Sequence, residues 1–238
     1  MLKGKTALVT GAGKGIGRAT AILLAKNGAA VVVCSRTIRE AEETAGEIRS
    51  QGGVSLALEC DVSDEKSVVT LFAEVKKNFG GLDILVNNAG LFSSGLVEET
   101  SLEEFNRLLA VNVGGVFLCC REAFKLMRPK VSGSIVNVSS LSGVKGAKKF
   151  PGFGAYCASK FGVVGLTEVL AVEGAECGIR VNAVCPGAVD TEMLKKAFPG
   201  DFPKLRPEQV AETILFLAGP KSSGVSGTCA EMYSDLLK

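Results

Sequence analysis

Short β-branched runs alternate with longer amphipathic segments along most of this 238-residue chain. Several of the short runs are apolar almost throughout, which is typical of strands covered on both faces. Such strand–helix alternation predicts a doubly wound, parallel α/β sheet of about seven strands, flanked by helices and joined by right-handed crossovers. The predicted strands are residues 5–10, 30–34, 55–59, 83–86, 134–138, 180–184 and 228–233. The predicted helices are residues 16–27, 38–51, 65–78, 102–127, 155–177 and 207–218.

The length suits one well-buried domain and is short for two. No linker, internal repeat or low-complexity segment divides the chain, so residues 1–238 are interpreted as a single domain. Its longest irregular connection is predicted over residues 186–206.

No histidine occurs anywhere in the chain. This excludes a Ser-His-Asp or Cys-His nucleophile and any histidine-liganded metal site, and no metal is expected. Acid/base chemistry near neutral pH must then use Tyr, Lys, Cys or a carboxylate with a shifted pKa. Only two tyrosines are available, Tyr156 and Tyr233.

The formal net charge of +2 gives no reason to expect a nucleic-acid or membrane partner. No apolar run approaches the roughly 20 residues that span a bilayer, and the first residues lack the features of a signal peptide. Eight cysteines are scattered without a C-x-x-C pair, which indicates reduced thiols. We therefore expect a cytoplasmic location.

A glycine-rich turn follows the first predicted strand, with Gly11, Gly15 and Gly17 spaced G-x-x-x-G-x-G and Ile16 between the last two. Glycines at such a turn let the backbone approach a pyrophosphate, which the N-terminus of the next helix favours. The turn therefore indicates a dinucleotide site. The alternative is a β–α turn that binds no ligand.

The end of the second strand carries Ser35 and Arg36 and no acid. NAD-specific folds usually place a carboxylate there for the ribose 2′-OH, and a carboxylate would repel the 2′-phosphate of NADP. Ser35 and Arg36 could instead bind that phosphate, and Lys14 could reach it. This predicts NADP(H), unless Lys14 and Arg36 are only solvated surface cations.

Tyr156 and Lys160 lie four residues apart at the start of a predicted helix, so they share one face. A phenol has an ordinary pKa near 10, and a nearby ammonium would lower it toward the range of a useful acid/base. An ordinary i,i+4 surface pair is the alternative.

These residues belong to a series of motifs whose order resembles the short-chain dehydrogenases/reductases. The motifs are residues 10–17, Asp61 with Val62, residues 87–90, Asn112, Ser139 with Ser140, Tyr156 with Lys160, and Pro186 with Gly187. The resemblance covers residue 5 to about residue 227. It implies a single-domain Rossmann fold and an NADP(H)-dependent oxidoreductase that interconverts a carbonyl and an alcohol.

The resemblance assigns a role to each catalytic candidate. Tyr156 would protonate the carbonyl oxygen while hydride reaches the carbon, and Ser140 would hydrogen-bond the same oxygen. Lys160 would also bind the nicotinamide ribose, and Asn112 would hold a water that relays protons to Lys160. The alternatives are a turn hydroxyl for Ser140 and an amide bonded to the backbone for Asn112.

Further cofactor contacts are implied at the ends of other predicted strands. They are Asp61 and Val62 at the adenine, Asn88, Ala89 and Gly90 along the riboses, and Pro186, Gly187, Val189 and Thr191 at the carboxamide. The turn at residues 87–90 could equally be architectural, since Asn and Gly suit a strand-to-loop turn.

Two segments around the expected pocket stand out. The connection 141–155 is longer than is usual in the family, and its Lys145, Lys148 and Lys149 are either available to an anionic substrate or solvated. The segment 192–205 is expected to form a partly apolar roof through Phe198, Pro199, Phe202 and Pro203.

The leading substrate expectation is a 3-oxoacyl chain on acyl carrier protein, an acidic partner that needs a basic surface. Lys125, Arg128 and Lys130 favour this, whereas Glu168, Glu173 and Glu176 oppose it. The alternatives are a reductase of free ketones, diketones, sugars or steroids, and a cofactor-binding regulator without turnover. By resemblance, segments 102–127 and 155–177 would pair subunits into a homo-dimer or homo-tetramer.

Overall fold

Seven parallel strands form one sheet in the computed structural model, which describes residues 1–198, 200 and 204–234. The order across the sheet is β3-β2-β1-β4-β5-β6-β7, so the predicted α/β class is confirmed. The strands are β1 (Thr6–Thr10), β2 (Ala30–Ser35), β3 (Ser55–Glu59), β4 (Ile84–Asn87), β5 (Gly133–Val138), β6 (Ile179–Pro186) and β7 (Cys229–Met232).

Eight α-helices occur in the described part of the chain. They are α1 (Gly15–Lys26), α2 (Ile38–Ser50), α3 (Glu65–Phe79), α4 (Leu102–Leu109), α5 (Gly115–Met127), α6 (Gly154–Ala175), α7 (Glu192–Ala197) and α8 (Pro207–Ala218).

The predicted helix over residues 102–127 is divided by a π-helical turn, Ala110–Gly114. Next to this turn, a β-carbon on Gly115 would lie 2.7 Å from Val62 Cγ2, so the chain passes too close to Val62 for a side chain. Helix α7 was not predicted, because residues 186–206 were interpreted as irregular. Its start is capped by Thr191, whose Oγ1 accepts from the Leu194 amide at 3.3 Å.

Alternate residues of each strand point into different cores. Ala7 and Val9 belong to a core under α1, α2 and α8, whereas Leu8 belongs to a core under α3, α5 and α6. All three residues are fully buried. Burial on both faces explains why the strands are almost continuously apolar, as parallel sheets require.

Helix α6 contradicts the prediction that no apolar run approaches membrane-spanning length. It has 22 residues, and its most apolar 18-residue window has a mean hydropathy of 1.3 with 33% of the window buried. One face packs on the sheet and includes the fully buried Val163 and Thr167, while Val169 and Val172 are exposed. The apolar character therefore comes from a buried face together with an exposed apolar one.

The strand order places the functional residues. The chain passes from β3 at one edge of the sheet to β4 on the other side of β1, so connections leave β1 and β4 in opposite directions. In doubly wound sheets a crevice opens at this switch, outside the carboxyl ends of the strands. The loops after β1 and β4 carry Gly11 and Asn88, and both lie at this crevice.

Candidate active site

The loops after β1 and β4 are joined by hydrogen bonds through Thr10 and Asn88. Thr10 Oγ1 accepts from the amides of Asn88 at 3.0 Å and Ala89 at 3.1 Å. In return, Asn88 Nδ2 donates to the carbonyls of Thr10 at 2.9 Å and Gly11 at 3.0 Å. The Asn88 amide group is thus committed to shaping the glycine loop, in line with the architectural reading of the 87–90 turn.

The glycines of the loop are required by this close packing. Gly11 has φ +62°, and a β-carbon on Gly17 would lie 2.4 Å from both Asn88 Nδ2 and the Gly11 carbonyl. Helix α1 then begins at Gly15 with Lys14 as its N-cap, and no side chain caps its first amides. Free amides at a helix start attract an anion.

Two further residues of the loop make packing contacts. Ile16 lies in the first turn of α1 and is partly buried against the core below it. Gly15 faces Thr191, whose Cγ2 would be 3.2 Å from a β-carbon at this glycine. The loop after β6 thus closes over the start of α1.

The residues proposed for the 2′-phosphate contact a carboxylate that the sequence reasoning missed. Lys14 Nζ lies 3.0 Å from Glu40 Oε1, and Ser35 Oγ donates to Glu40 Oε2 at 3.4 Å. Arg36 is exposed beside them. The end of β2 itself has no acid, yet the first turn of α2 brings one to it.

Asp61 and Val62 follow β3 at the same edge of the sheet. Asp61 Oδ1 accepts from the Ser63 amide at 2.9 Å and from the Ser63 hydroxyl at 2.6 Å. Burial alone would raise the pKa of Asp61, but these bonds and the charge of Arg36 outweigh it and lower the pKa. Val62 is buried against α5.

Tyr156 and Lys160 meet on one face of α6, as their spacing predicts. Lys160 is almost fully buried. Its Nζ lies 5.7 Å from the centroid of the Tyr156 ring and donates to the Val138 carbonyl at 3.0 Å. Ser140 follows β5, hydrogen-bonds Tyr156 and accepts from the Ser142 amide at 3.1 Å. Its hydroxyl therefore shapes a turn and also faces the phenol.

The electrostatics of this pair differ from the sequence expectation. Burial raises the pKa of Tyr156 to about 12, although the Ser140 hydrogen bond works in the opposite direction. Burial lowers the pKa of Lys160 to about 8. The ammonium was expected to lower the phenol pKa, but desolvation of the buried phenol is the larger effect and raises it. The phenol therefore keeps its proton at neutral pH.

Asn112 lies in the π-helical turn and makes three side-chain hydrogen bonds. Its Oδ1 accepts from the Leu91 amide at 2.7 Å, and its Nδ2 donates to the Leu91 carbonyl and to Ser159 Oγ, both at 2.9 Å. Ser159 Oγ in turn donates to the Tyr156 carbonyl at 2.7 Å. The side chain thus bonds to the backbone, as the alternative reading of Asn112 held, and it connects the loop after β4 to the turn that carries Tyr156. Sequence reasoning missed Ser159, although it directly precedes Lys160.

Phe92 and Phe153 pack on the Tyr156 ring, and Phe198 packs on both of them; we call these three side chains the aromatic wall. The Phe92 centroid lies 4.9 Å from that of Tyr156, 5.1 Å from Phe153 and 5.8 Å from Phe198. Phe198 supplies the apolar roof expected from segment 192–205. Pro199, Phe202 and Pro203, expected in the same roof, lie outside the described residues.

The three lysines of the 141–155 connection have different surroundings. Lys149 Nζ donates to the carbonyls of Leu141 at 3.1 Å, Val144 at 2.6 Å and Ala147 at 2.9 Å, so it closes the loop on itself. Lys148 lies over the Phe150 ring, and Lys145 is exposed. Lys149 is therefore occupied with the loop and does not face the pocket as a free cation.

The carboxamide candidates lie where β6 ends. The Gly187 amide donates to the Met232 carbonyl at 2.8 Å, which extends the pairing of Pro186 with Met232. Val189 is buried and bridges to Leu205. Together with Thr191 at the start of α7, which contacts Gly15, these residues border the crevice on the β6 side.

Comparison with known proteins places the chain in a family. A family model described as short chain dehydrogenase matches residues 5–201. The chain is 43% identical over 194 residues to the 3β-hydroxysteroid dehydrogenase of Mediterraneibacter gnavus, covering 81% of this chain and 69% of that protein. It is 37% identical to the 3-oxoacyl-[acyl-carrier-protein] reductase of Synechocystis sp. over 95% of this chain and 94% of that protein.

Among solved structures, 7α-hydroxysteroid dehydrogenase complexed with NADH and 7-oxo glycochenodeoxycholic acid superposes with a TM-score of 0.92. It is 31% identical in sequence, with 97% of this chain and 93% of that chain covered. The strand order and the motif series agree with these matches. The chain therefore belongs to the short-chain dehydrogenases, a family of oxidoreductases that act on carbonyl and alcohol groups.

Proposed function

We propose that this protein is an NADP(H)-dependent oxidoreductase that interconverts a carbonyl and a secondary alcohol, with Tyr156 as its acid/base. The observation that carries the proposal is the meeting of Tyr156, Ser140 and Lys160 beside the crevice. These three residues lie at the carboxyl ends of the strands, where the first turn of α1 offers uncapped amides to a pyrophosphate.

A glycine lies beside the ammonium of Lys160. A β-carbon on Gly90 would lie 3.3 Å from Asn112 Oδ1 and 3.7 Å from Lys160 Nζ, so this glycine leaves room beside the lysine for a ribose. The bound nicotinamide would supply or accept the hydride. Lys14, Ser35 and Arg36 favour a cofactor with a 2′-phosphate.

The side chains would handle the proton. Because the phenol of Tyr156 has a pKa of about 12, it carries the proton that a reduced carbonyl oxygen requires. Ser140 would hydrogen-bond the same oxygen and fix its position. Lys160 would hold the ribose, and its positive charge would stabilise the phenolate that remains after proton transfer.

The aromatic wall favours an apolar substrate over a sugar, because Phe92, Phe153 and Phe198 offer ring faces and edges but no hydrogen bonds. A 3-oxoacyl thioester and a flat ring ketone, such as the steroid of the matched dehydrogenases, both meet this condition. Two of the three basic groups expected to dock a carrier protein are paired with acids: Lys125 with Glu122 at 2.8 Å and Lys130 with Asp83 at 2.7 Å. The third, Arg128, lies over the Phe124 ring. This favours the free apolar ketone.

Turnover measurements separate these candidates. NADPH consumption is measured with a 3-oxoacyl thioester, a ring ketone and a keto sugar, and the ring ketone is expected to react best. Tyr156→Phe should bind NADPH and lose most turnover, while the control Tyr233→Phe should behave as the parent. Full activity in Tyr156→Phe would contradict the mechanism. NADPH binding without turnover on any substrate would instead favour a regulator.

We also propose a homo-dimer or homo-tetramer. Phe117 on α5 and Phe161, Val169 and Val172 on α6 are exposed apolar side chains, with Val172 76% exposed. Exposed apolar surface of this kind favours burial against a second copy. Sedimentation of the parent and of Val172→Glu tests this, since the variant should shift toward the monomer.

A cytoplasmic location is proposed from the thiols. All eight cysteines are free, and five of them are buried. This fits a reducing compartment. Fractionation of cells that express the protein would test it.

A further inference from the structure

The carboxylate of Glu40 lies between the two groups that would bind a 2′-phosphate. Lys14 Nζ is 3.0 Å from one oxygen of Glu40, and Ser35 Oγ donates to the other at 3.4 Å. Lys14 belongs to the glycine loop and Ser35 ends β2, so the carboxylate spans the two elements that border the adenosine ribose in this fold.

Helix packing holds this carboxylate in place. A β-carbon on Gly13 would lie 2.6 Å from Glu40 Cβ, so α2 rests directly on the glycine loop. Thr44 Oγ1 bonds to both the Gly13 and the Glu40 carbonyls at 3.3 Å. The Glu40 side chain is 34% exposed, so its carboxylate remains accessible from solvent.

The other acids of α2 have separate partners. Glu43 pairs with Arg39, Glu42 with Arg49 and Glu47 with Arg18. Of the carboxylates on this helix, Glu40 is therefore the one that contacts the residues proposed for the phosphate.

We propose that Glu40 determines cofactor specificity by occupying the 2′ position as an internal anion, an inference that rests on the proposed NADP(H) use. With NAD(H), the carboxylate accepts from the ribose 2′-OH and keeps its bonds to Lys14 and Ser35. With NADP(H), it must turn away before those two residues can bind the phosphate. The chain therefore uses both cofactors, and its preference for NADP(H) is weaker than Lys14, Ser35 and Arg36 alone would produce.

Binding measurements on the whole protein test this without turnover. Dissociation constants are measured for NADPH, NADH, adenosine 2′,5′-bisphosphate and adenosine 5′-monophosphate, the last two isolating the 2′ group. In Glu40→Gln, NADPH and the bisphosphate should bind about tenfold tighter, because no internal anion competes with the 2′-phosphate. NADH should bind a few-fold weaker, because the charge-assisted bond to its 2′-OH becomes a neutral one. Glu43 lies on the same helix but pairs with Arg39. Glu43→Gln should therefore change neither the NADPH/NADH ratio of dissociation constants nor the ratio between the bisphosphate and the monophosphate.

The outcomes separate this inference from the proposed function. An NADPH/NADH ratio in Glu40→Gln that stays within about twofold of the parent would overturn the role of Glu40, even if the parent consumes NADPH. If the parent binds only NADH and NADPH binding appears in Glu40→Gln, the role of Glu40 is supported and the NADP(H) assignment is rejected. Failure of all four nucleotides to bind the folded parent would reject both. Circular dichroism of each variant verifies the fold.

Discussion

Asn112 Nδ2 donates to Ser159 Oγ at 2.9 Å and so joins the π-helical turn to the helix that carries Tyr156. The Ser159 hydroxyl passes the connection on to the Tyr156 carbonyl at 2.7 Å. Ser159 is fully buried. Loss of its hydroxyl would leave the Asn112 amide and the Tyr156 carbonyl without this partner, at a position that water does not reach.

We therefore expect Ser159→Ala to lower the free energy of unfolding by about 1–3 kcal/mol, the cost of unpaired buried polar groups. The kcat should fall while the dissociation constant of the cofactor changes little, because the Tyr156 turn is disturbed and the glycine loop is not. Urea unfolding and steady-state rates measure both. The control Ser50→Ala removes an exposed helical hydroxyl, and equal losses in the two variants would contradict this role.

The buried ammonium of Lys160 should cost stability. Its pKa falls from 10.5 to about 8 on folding, so the unfolded chain binds more protons between these values and stability rises with pH there. Below pH 8 the full cost is present. Lys160→Met should thus be more stable than the parent at pH 7, by on the order of 1–3 kcal/mol after the lost bond to Val138 is counted.

Thermal unfolding of both proteins from pH 7 to pH 10.5 measures this difference. The advantage of Lys160→Met should shrink as the pH rises, and turnover should be lost at every pH. A constant advantage across this range would show that it arises from packing and not from the charge.

Gly17 and Gly46 both lie inside helices but have different surroundings. A methyl group on Gly17 would meet Asn88 Nδ2 and the Gly11 carbonyl at 2.4 Å, whereas one on Gly46 would meet only Arg49 Nη2, at 3.9 Å. Gly17→Ala should destabilise by about 1–3 kcal/mol and weaken NADPH binding. Gly46→Ala should stabilise by about 0.5–1 kcal/mol through helix propensity. Unfolding curves and NADPH titration test the two variants, whose free energies of unfolding should change in opposite directions.

Val131 is a β-branched residue in the left-handed region, with φ +49°, and 64% of it is exposed. Asn adopts this conformation more readily than Val, so Val131→Asn should raise the free energy of unfolding by about 1 kcal/mol. Chemical denaturation measures the change. Val54 is similarly exposed, at 60%, without a positive φ. Its replacement by Asn should bring no gain, and an equal gain there would point to solubility rather than backbone strain.

Strand–helix alternation was enough to predict the fold because it is a local pattern. Residues 55–59 and 207–218 were predicted with the bounds observed for β3 and α8. The π-helical turn was not foreseen, since it lies where Gly115 packs on Val62, far away in the chain. Helix α7 was missed because its six residues are too few for a periodic pattern.

In the candidate site, too, the sequence predicted local relationships and missed those that depend on packing between distant segments. Tyr156 and Lys160 could be paired from their spacing, which a helix converts directly into proximity. Glu40 lies 26 residues from Lys14, and only the packing of α2 on the glycine loop brings them together. The raised pKa of Tyr156 could also not be predicted from the sequence, because it depends on how deeply the phenol is buried.

The bonds between Thr10 and Asn88 span 78 residues. The glycine loop thus takes its shape from a strand that the ribosome makes three helices later. A nascent chain that ends before β4 has the phosphate motif in its sequence but lacks the amide that shapes it. Nucleotide recognition consequently requires the fourth strand to have joined the sheet, although the phosphate motif is complete in the sequence well before that strand is made.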